Sequence, residues 1–158
     1  MGTYFLHEVH VRPPDGLTCK FSMLDKQDDR PPILIVSFGG EYPDGSSGSA
    51  HGHYIATMSL QGLSAFDPWC IILDFREMTY HWGNTLLKVF QDISTFMNAE
   101  NKPDEPAFPI LAVTSERSRS GFLSLVTPAG SAEPDWHFNK IHEAIKAGVV
   151  AANAWVDA

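Results

Sequence analysis

Positive charge is in short supply: eleven Lys and Arg stand against nineteen Asp and Glu in 158 residues, a formal charge of −8 with histidine neutral. A surface of that sign repels phosphate backbones and anionic bilayers. Nucleic acid and membrane are therefore not expected as partners, and a basic protein is. Cysteine is scarce as well. Cys19 and Cys70 are the only two, they lack CxxC spacing, and both sit among apolar neighbours, which reads as two buried thiols rather than a disulfide or a metal pair. No apolar run approaches the ~18–20 residues of a membrane span. The opening Met-Gly-Thr-Tyr-Phe-Leu-His-Glu has neither the basic nor the apolar region of a signal peptide, so a cytoplasmic protein is expected. Complete catalytic signatures are missing too: HExxH, GxSxG, GxGxxG and GxxxxGKS/T are all absent, and no metal or cofactor is expected.

What is present is an apolar fraction of 44%, enough for one core and one domain spanning residues 1–158. Tyr4 to Val11 and Leu17 to Leu24 alternate apolar and polar residues around Pro13-Pro14-Asp15-Gly16, and together predict an N-terminal β-hairpin. Asp25 to Arg30 is a charged connector. Ile33 to Phe38 predicts a buried strand, followed by a glycine- and serine-rich loop, Gly39 to Ser49, long enough to be mobile or functional. Helical spacing then carries Ile55, Met58, Gly62, Leu63 and Phe66, with Ser47 or Ser49 available as N-cap.

The stretch Trp69 to Val89 organises the rest. Trp69 to Phe75 predicts a second buried strand, Thr79 to Asn84 a polar-aromatic turn, and Asn84 or Thr85 the opening of a helix that runs near to Asn98. Ile110 to Val113 predicts a third buried strand, Gly121 to Val126 a short helix, and Pro134 to Trp155 a long amphipathic helix. Strands alternating with helices imply an α/β domain: a small mixed sheet with parallel core strands, the N-terminal hairpin and a long C-terminal helix. In such sheets function gathers at the carboxyl ends of the strands.

Several clusters bear on chemistry. Asp74, Glu77 and His81 fall near the end of the central strand, where Asp74 orienting His81 with Glu77 as base would form an acid/base site. Against it stands a plain arrangement of Asp74 with Arg76 and the following turn. His7 and His10 point to opposite faces of a strand and make a poor chelate, whereas His51 and His53 flank a loop-to-helix junction. Ser115, Ser118, Ser120 and Gly121 form another strand-end loop. Gly39-Gly40, Gly45 and Gly48 before a helix suggest an anion cradle, although no lysine lies near. Tyr80 and Trp82 are large aromatics in a polar turn, either folded back into the core or presented to a partner.

Two families share features with the centre of the chain. Ile33 to Phe38, the Gly-Ser loop, the helix to Phe66, the strand to Phe75 and Phe108 to Thr114 resemble the core βα units of the crotonase (enoyl-CoA hydratase/isomerase) superfamily. That resemblance implies acyl-thioester chemistry in a truncated, catalytically lapsed member. Ile71 to Tyr80 is similar to the strand-turn motif of STAS domains of anti-sigma-factor antagonists. The phosphoacceptor Asp-Ser-Ser-Gly that should follow is replaced by His81-Trp82-Gly83-Asn84, which leaves Thr79 or Thr85 to stand in. The expectation is a protein-binding domain, an immunity-type protein that blocks a basic toxin or effector enzyme, with Glu41, Asp44, Tyr80, His81, Trp82, Asp104 and Glu105 at the contact. The alternatives are a crotonase-like enzyme using Asp74, Glu77 and His81, or a STAS-like regulator.

Overall fold

Three apolar strands of β-branched and aromatic residues, each too short for a helix and each followed by helical spacing, set the architecture. The structure, a computed structural model, describes residues 2–24 and 30–158. Its elements are β1 (Thr18–Met23), β2 (Ile33–Glu41), a 3₁₀ turn (Gly45–Gly48), α1 (Ser49–Phe66), β3 (Cys70–Thr79), α2 (Leu87–Asn98), β4 (Ile110–Val113), α3 (Arg119–Val126), β5 (His137–Phe138) and α4 (Ile141–Val156). The five strands lie in the order β1-β2-β3-β4-β5. β1 runs antiparallel to β2, and the other neighbours are parallel. This is the expected single α/β domain with a mixed sheet, an N-terminal hairpin and a C-terminal helix.

Strand alternation divides the core in two. Leu34, Val36, Phe38, Ile71, Leu73 and Phe75 face α1 and α2, where Ile55, Leu63, Val89 and Ile93 close over them. Ile33, Cys70, Ile72, Leu111 and Val113 face the other way, onto α4. Ala144, Gly148 and Ala152 give α4 its buried face, small residues that let the helix lie close to the sheet. It covers the β3–β4 half of that face. Over β1 and β2 the same face stays open as a hollow of about 460 Å³, with Ile141 of α4 at its rim.

Five expectations need correction. The hairpin is built from β1 and β2, and Tyr4–Val11 forms no strand; the charged connector Asp25 to Arg30 lies, apart from Arg30, outside the described residues. The long glycine loop is mostly not a loop, because Gly39, Gly40 and Glu41 continue β2 and Gly45–Gly48 forms a 3₁₀ turn. The helix begins after Gly48 with no side-chain cap, and the Ser49 hydroxyl instead donates to Ser46 O. The terminal helix starts at Ile141 rather than Pro134. Ahead of it, His137 and Phe138 add a fifth strand beside β4, with Ala112 N–H donating to Trp136 O and Thr114 N–H to Phe138 O. Finally, β3 does not stop at Phe75. Its register against β2 passes from Ser37–Asp74 to Gly39–Glu77, so β3 spends one residue more than β2. That bulge puts Arg76 and Glu77 on the open side in succession, Met78 returns to the core, and the break in alternation resembles a strand end in the sequence.

Candidate functional site at the carboxyl edge of the sheet

The bulge places Asp74 in mid-strand, on the face toward α4. Pairing sets Lys20, Ser37, Asp74, Val113 and Phe138 in one row across the sheet. Asp74 is 3% exposed and both of its oxygens are occupied. Oδ1 accepts from the Arg76 N–H at 3.1 Å and from Arg76 Nε at 2.8 Å; Oδ2 accepts from Arg76 Nη2 at 2.9 Å and from the Ser37 hydroxyl at 2.9 Å. Burial works to raise this carboxyl, but the bonds from Arg76 and Ser37 outweigh it and hold the group below the usual carboxylate value. A carboxylate with every lone pair engaged is a poor base. It is a clasp that keeps Arg76 over the hollow.

β4 ends at Val113, opposite Asp74, so the later carbonyls of β3 lose their neighbour on that side. The loop after β4 replaces it: the Ser118 hydroxyl donates to Phe75 O at 2.9 Å and the Ser115 hydroxyl to Arg76 O at 2.6 Å. From the same loop, Arg117 O accepts from the Tyr80 N–H, Arg117 Nε donates to the Thr79 hydroxyl at 3.1 Å, and Arg117 Nη1 lies 3.8 Å from Glu77. A Cβ on Gly121 would collide with the backbone of Tyr80 and His81. Ser115 and Ser118 are thus structural partners of the bulge.

The turn after β3 locks to the loop after β2 in the same way. Tyr42 N–H donates to Thr79 O and Gly45 N–H to Trp82 O. Tyr80, 1% exposed, packs edge-on against Tyr42 with ring centroids 5.2 Å apart and donates its hydroxyl to Gly83 O. Burial pushes the Tyr80 phenol up to about 12, with help from Tyr42 and Asp44. Gly83 holds φ at 129°, a conformation that excludes a side chain. Held between those points, Trp82 is thrown outward and stays 61% exposed, its ring seated over Gly45 closely enough that a Cβ there would lie 2.9 Å from it.

These positions resolve the candidate residues. Tyr80 is a core residue rather than a contact. Glu41, Asp44, His81 and Trp82 are exposed at the carboxyl edge. Asp104 and Glu105 are exposed too, but they lie in the α2–β4 connection, at the opposite end of the parallel strands. The acid/base trio does not assemble: Asp74 is saturated by Arg76, Glu77 faces solvent beside Arg117, and among the described residues no hydrogen bond joins His81 to either. The glycine cradle is occupied by the protein itself. Gly40 abuts Gly16, Gly48 abuts Tyr42 and Thr85, and Gly52 abuts Thr85. Thr85 shares a 2.7 Å hydrogen bond with the Tyr42 hydroxyl, and Thr79 is the acceptor for Arg117, so neither hydroxyl is unengaged.

Of the histidines, His51 is buried with Nε2 3.3 Å from Asp15 O, while His53 is exposed one turn-face away. His7 and His10 are exposed. Among the described residues no three His, Cys, Asp or Glu side chains converge as a metal site would need, and no helix is long and apolar enough to cross a membrane. The cysteines are unpaired, and burial raises their thiols to about 11 at Cys19 and about 12 at Cys70. One arrangement had no signal in the sequence. His137 Nδ1 meets Glu133 Oε1 at 2.6 Å and Nε2 meets Thr114 Oγ1 at 2.7 Å. The order is that of a hydrolytic triad, but Thr114 is fully buried, so the trio pins β5 to β4 instead of meeting a substrate.

No protein-family model and no curated protein matches the chain. Among solved structures it is similar to the crystal structure of an anti-sigma factor antagonist from Mycobacterium paratuberculosis, at 16% identity and a TM-score of 0.46, over 85% of this chain and 96% of that one. These comparisons do not show the crotonase-like resemblance.

Proposed function

We propose that the chain is a protein-binding regulatory domain of STAS-like type, which docks a partner on the carboxyl edge formed by the connections after β2, β3 and β4. One observation carries the reading: Trp82 is a large, exposed aromatic held on a turn fixed from both sides. An indole presented without conformational freedom loses little entropy on binding, and such residues dominate interface energetics. The same edge exposes Glu41, Asp44, His81 and Glu77, with Arg117 beside Glu77 and bonded to Thr79. That surround suits a cationic partner surface, and would speed encounter with one. The strand-turn similarity of Ile71 to Tyr80 names the class, while the engaged hydroxyls of Thr79 and Thr85 put a phosphate switch second to plain occupancy of the partner. An immunity-type protein facing a basic toxin is the same mode of action with a particular partner.

A photo-activated cross-linking residue placed at position 82, and separately at position 104, tests this in cells of the native host. A defined protein adduct at 82 but not at 104 supports the reading, and a basic toxin in that adduct would select the immunity form. Adducts at 104 alone, or at neither position, contradict it.

A further inference from the structure

Residues 2–13 stand away from the domain. Tyr4, Phe5, Leu6, Val9 and Val11 are 67% to 99% exposed, and among the described residues the segment makes no backbone hydrogen bond to the rest of the chain. Its spacing is nevertheless that of a strand, with Phe5, Val9 and Val11 on one face. An edge of matching pattern lies next to it. β1 is the outermost strand, with Cys19, Phe21 and Met23 toward the core and Thr18, Lys20 and Ser22 on the open side. Leu24 N–H donates to Ile33 O, toward β2. In an antiparallel pair the bonding direction alternates, so the amides of Met23, Phe21 and Cys19 point to the free edge.

The segment does not fold back onto β1 of its own chain, and the turn chemistry supplies the reason. Leu17 N–H donates to Pro14 O around Asp15-Gly16. Gly16 has φ 74° and Asp15 is not among the positive-φ residues, which is the signature of a type II turn. Two-residue hairpins need the I′ or II′ hand, and a type II turn splays the strands. Pro14 also lacks the N–H that would return a bond to Leu17. Gly16 is held against Gly40 besides, so the turn cannot readily roll over. The sequence supplies a strand, and its own turn denies that strand its nearest edge.

We propose that Tyr4–Val11 adds as an edge strand to β1 of a second copy, and that two copies exchange these segments reciprocally. A two-fold exchange satisfies both exposed segments and both free edges at once. It sets Phe5, Val9 and Val11 beside Cys19, Phe21 and Met23, and near Phe66, which is 44% exposed beside Phe21. The four aromatic rings of two arms would cover ~600–1000 Å². With Leu6, Val9, Val11 and the backbone of both arms, the contact reaches the ~1200–2000 Å² of a stable interface. The carboxyl-edge loops carrying Trp82 take no part, so the two surfaces are independent.

Sedimentation of the full chain, combined with residue-resolved amide exchange, tests the proposal. Expected is a dimer at micromolar concentration in which the amides of Cys19, Phe21 and Met23 exchange at least tenfold more slowly than in the Phe5→Asp/Val9→Asp double variant, which sediments as a monomer. Because the altered residues lie outside the core, both proteins should have the same far-ultraviolet circular dichroism, apart from the arm. Three results would overturn it: a wild-type monomer, a dimer that survives the double substitution, or slow exchange at those three amides in a monomer, which would mean the arm pairs in its own chain.

Discussion

The two ends of the parallel strands carry similar chemistry and have different organisation. At the amino end, the α2–β4 connection shows Asp104 and Glu105 to solvent, and its bonds are mostly to itself: Asn101 to Asn98 and Pro106, Glu105 to Lys102. At the carboxyl end, Glu41, Asp44 and Glu77 are exposed along with Trp82, and the three connections are tied across one another through Tyr42, Gly45, Tyr80, Ser115, Arg117 and Ser118. Exposed acid is common to both. A rigid aromatic platform is found at one, and it is the reason the carboxyl end is proposed as the binding edge.

The platform breaks most severely at Tyr80. Tyr80→Ala should cost about 3–5 kcal/mol in urea unfolding, since it empties a fully buried aromatic site and frees the Gly83 turn. Next comes the clasp. Arg76→Ala leaves the buried Asp74 carboxylate without its main donors and should cost about 2–3 kcal/mol by the same measurement. Asp74 also has a pH signature. Its folded value is lowered, so its contribution is complete above the unfolded carboxylate value of ~3.9 and is lost as pH falls through the lower folded value. The stability gap between wild type and Asp74→Asn should therefore be constant at neutral pH and shrink below about pH 4. At the other end of the scale and of the sheet, Asp104→Asn with Glu105→Gln should change stability by less than about 0.5 kcal/mol and leave partner affinity within twofold. A larger loss of affinity would mean that charge, and not the platform, defines the binding edge.

Much of the architecture could be read from residue patterns. Ile33 to Val36, Cys70 to Leu73 and Ile110 to Val113 read as strands because nothing polar interrupts them, and α1 and α2 follow from helical spacing. What the sequence concealed were features set by distant partners. The bulge at Phe75 and Arg76 mimics a strand end, because Asp74, Arg76 and Glu77 are polar and their partners Ser37 and Ser115 lie 37 and 39 positions away. β5 is two residues long and exists because β4 has a free side. The fate of Tyr80 and Trp82, two positions apart and chemically alike, was open until Tyr42, Gly45 and Gly83 were placed around them. The N-terminal hairpin is present but joins β1 to β2, and the strand expected at Tyr4–Val11 does not form; Pro14 with the hand of its turn was the signal.

On the proposed reading, Trp82 anchors a partner without supporting the fold. This is tested most directly by measuring the affinity of Trp82→Ala for the protein captured at position 82, alongside its urea unfolding. Binding should weaken about 30-fold or more, the effect of losing ~2 kcal/mol at an interface anchor, with unfolding stability within about 1 kcal/mol of wild type. Affinity within twofold of wild type, in a protein of unchanged stability, would contradict it.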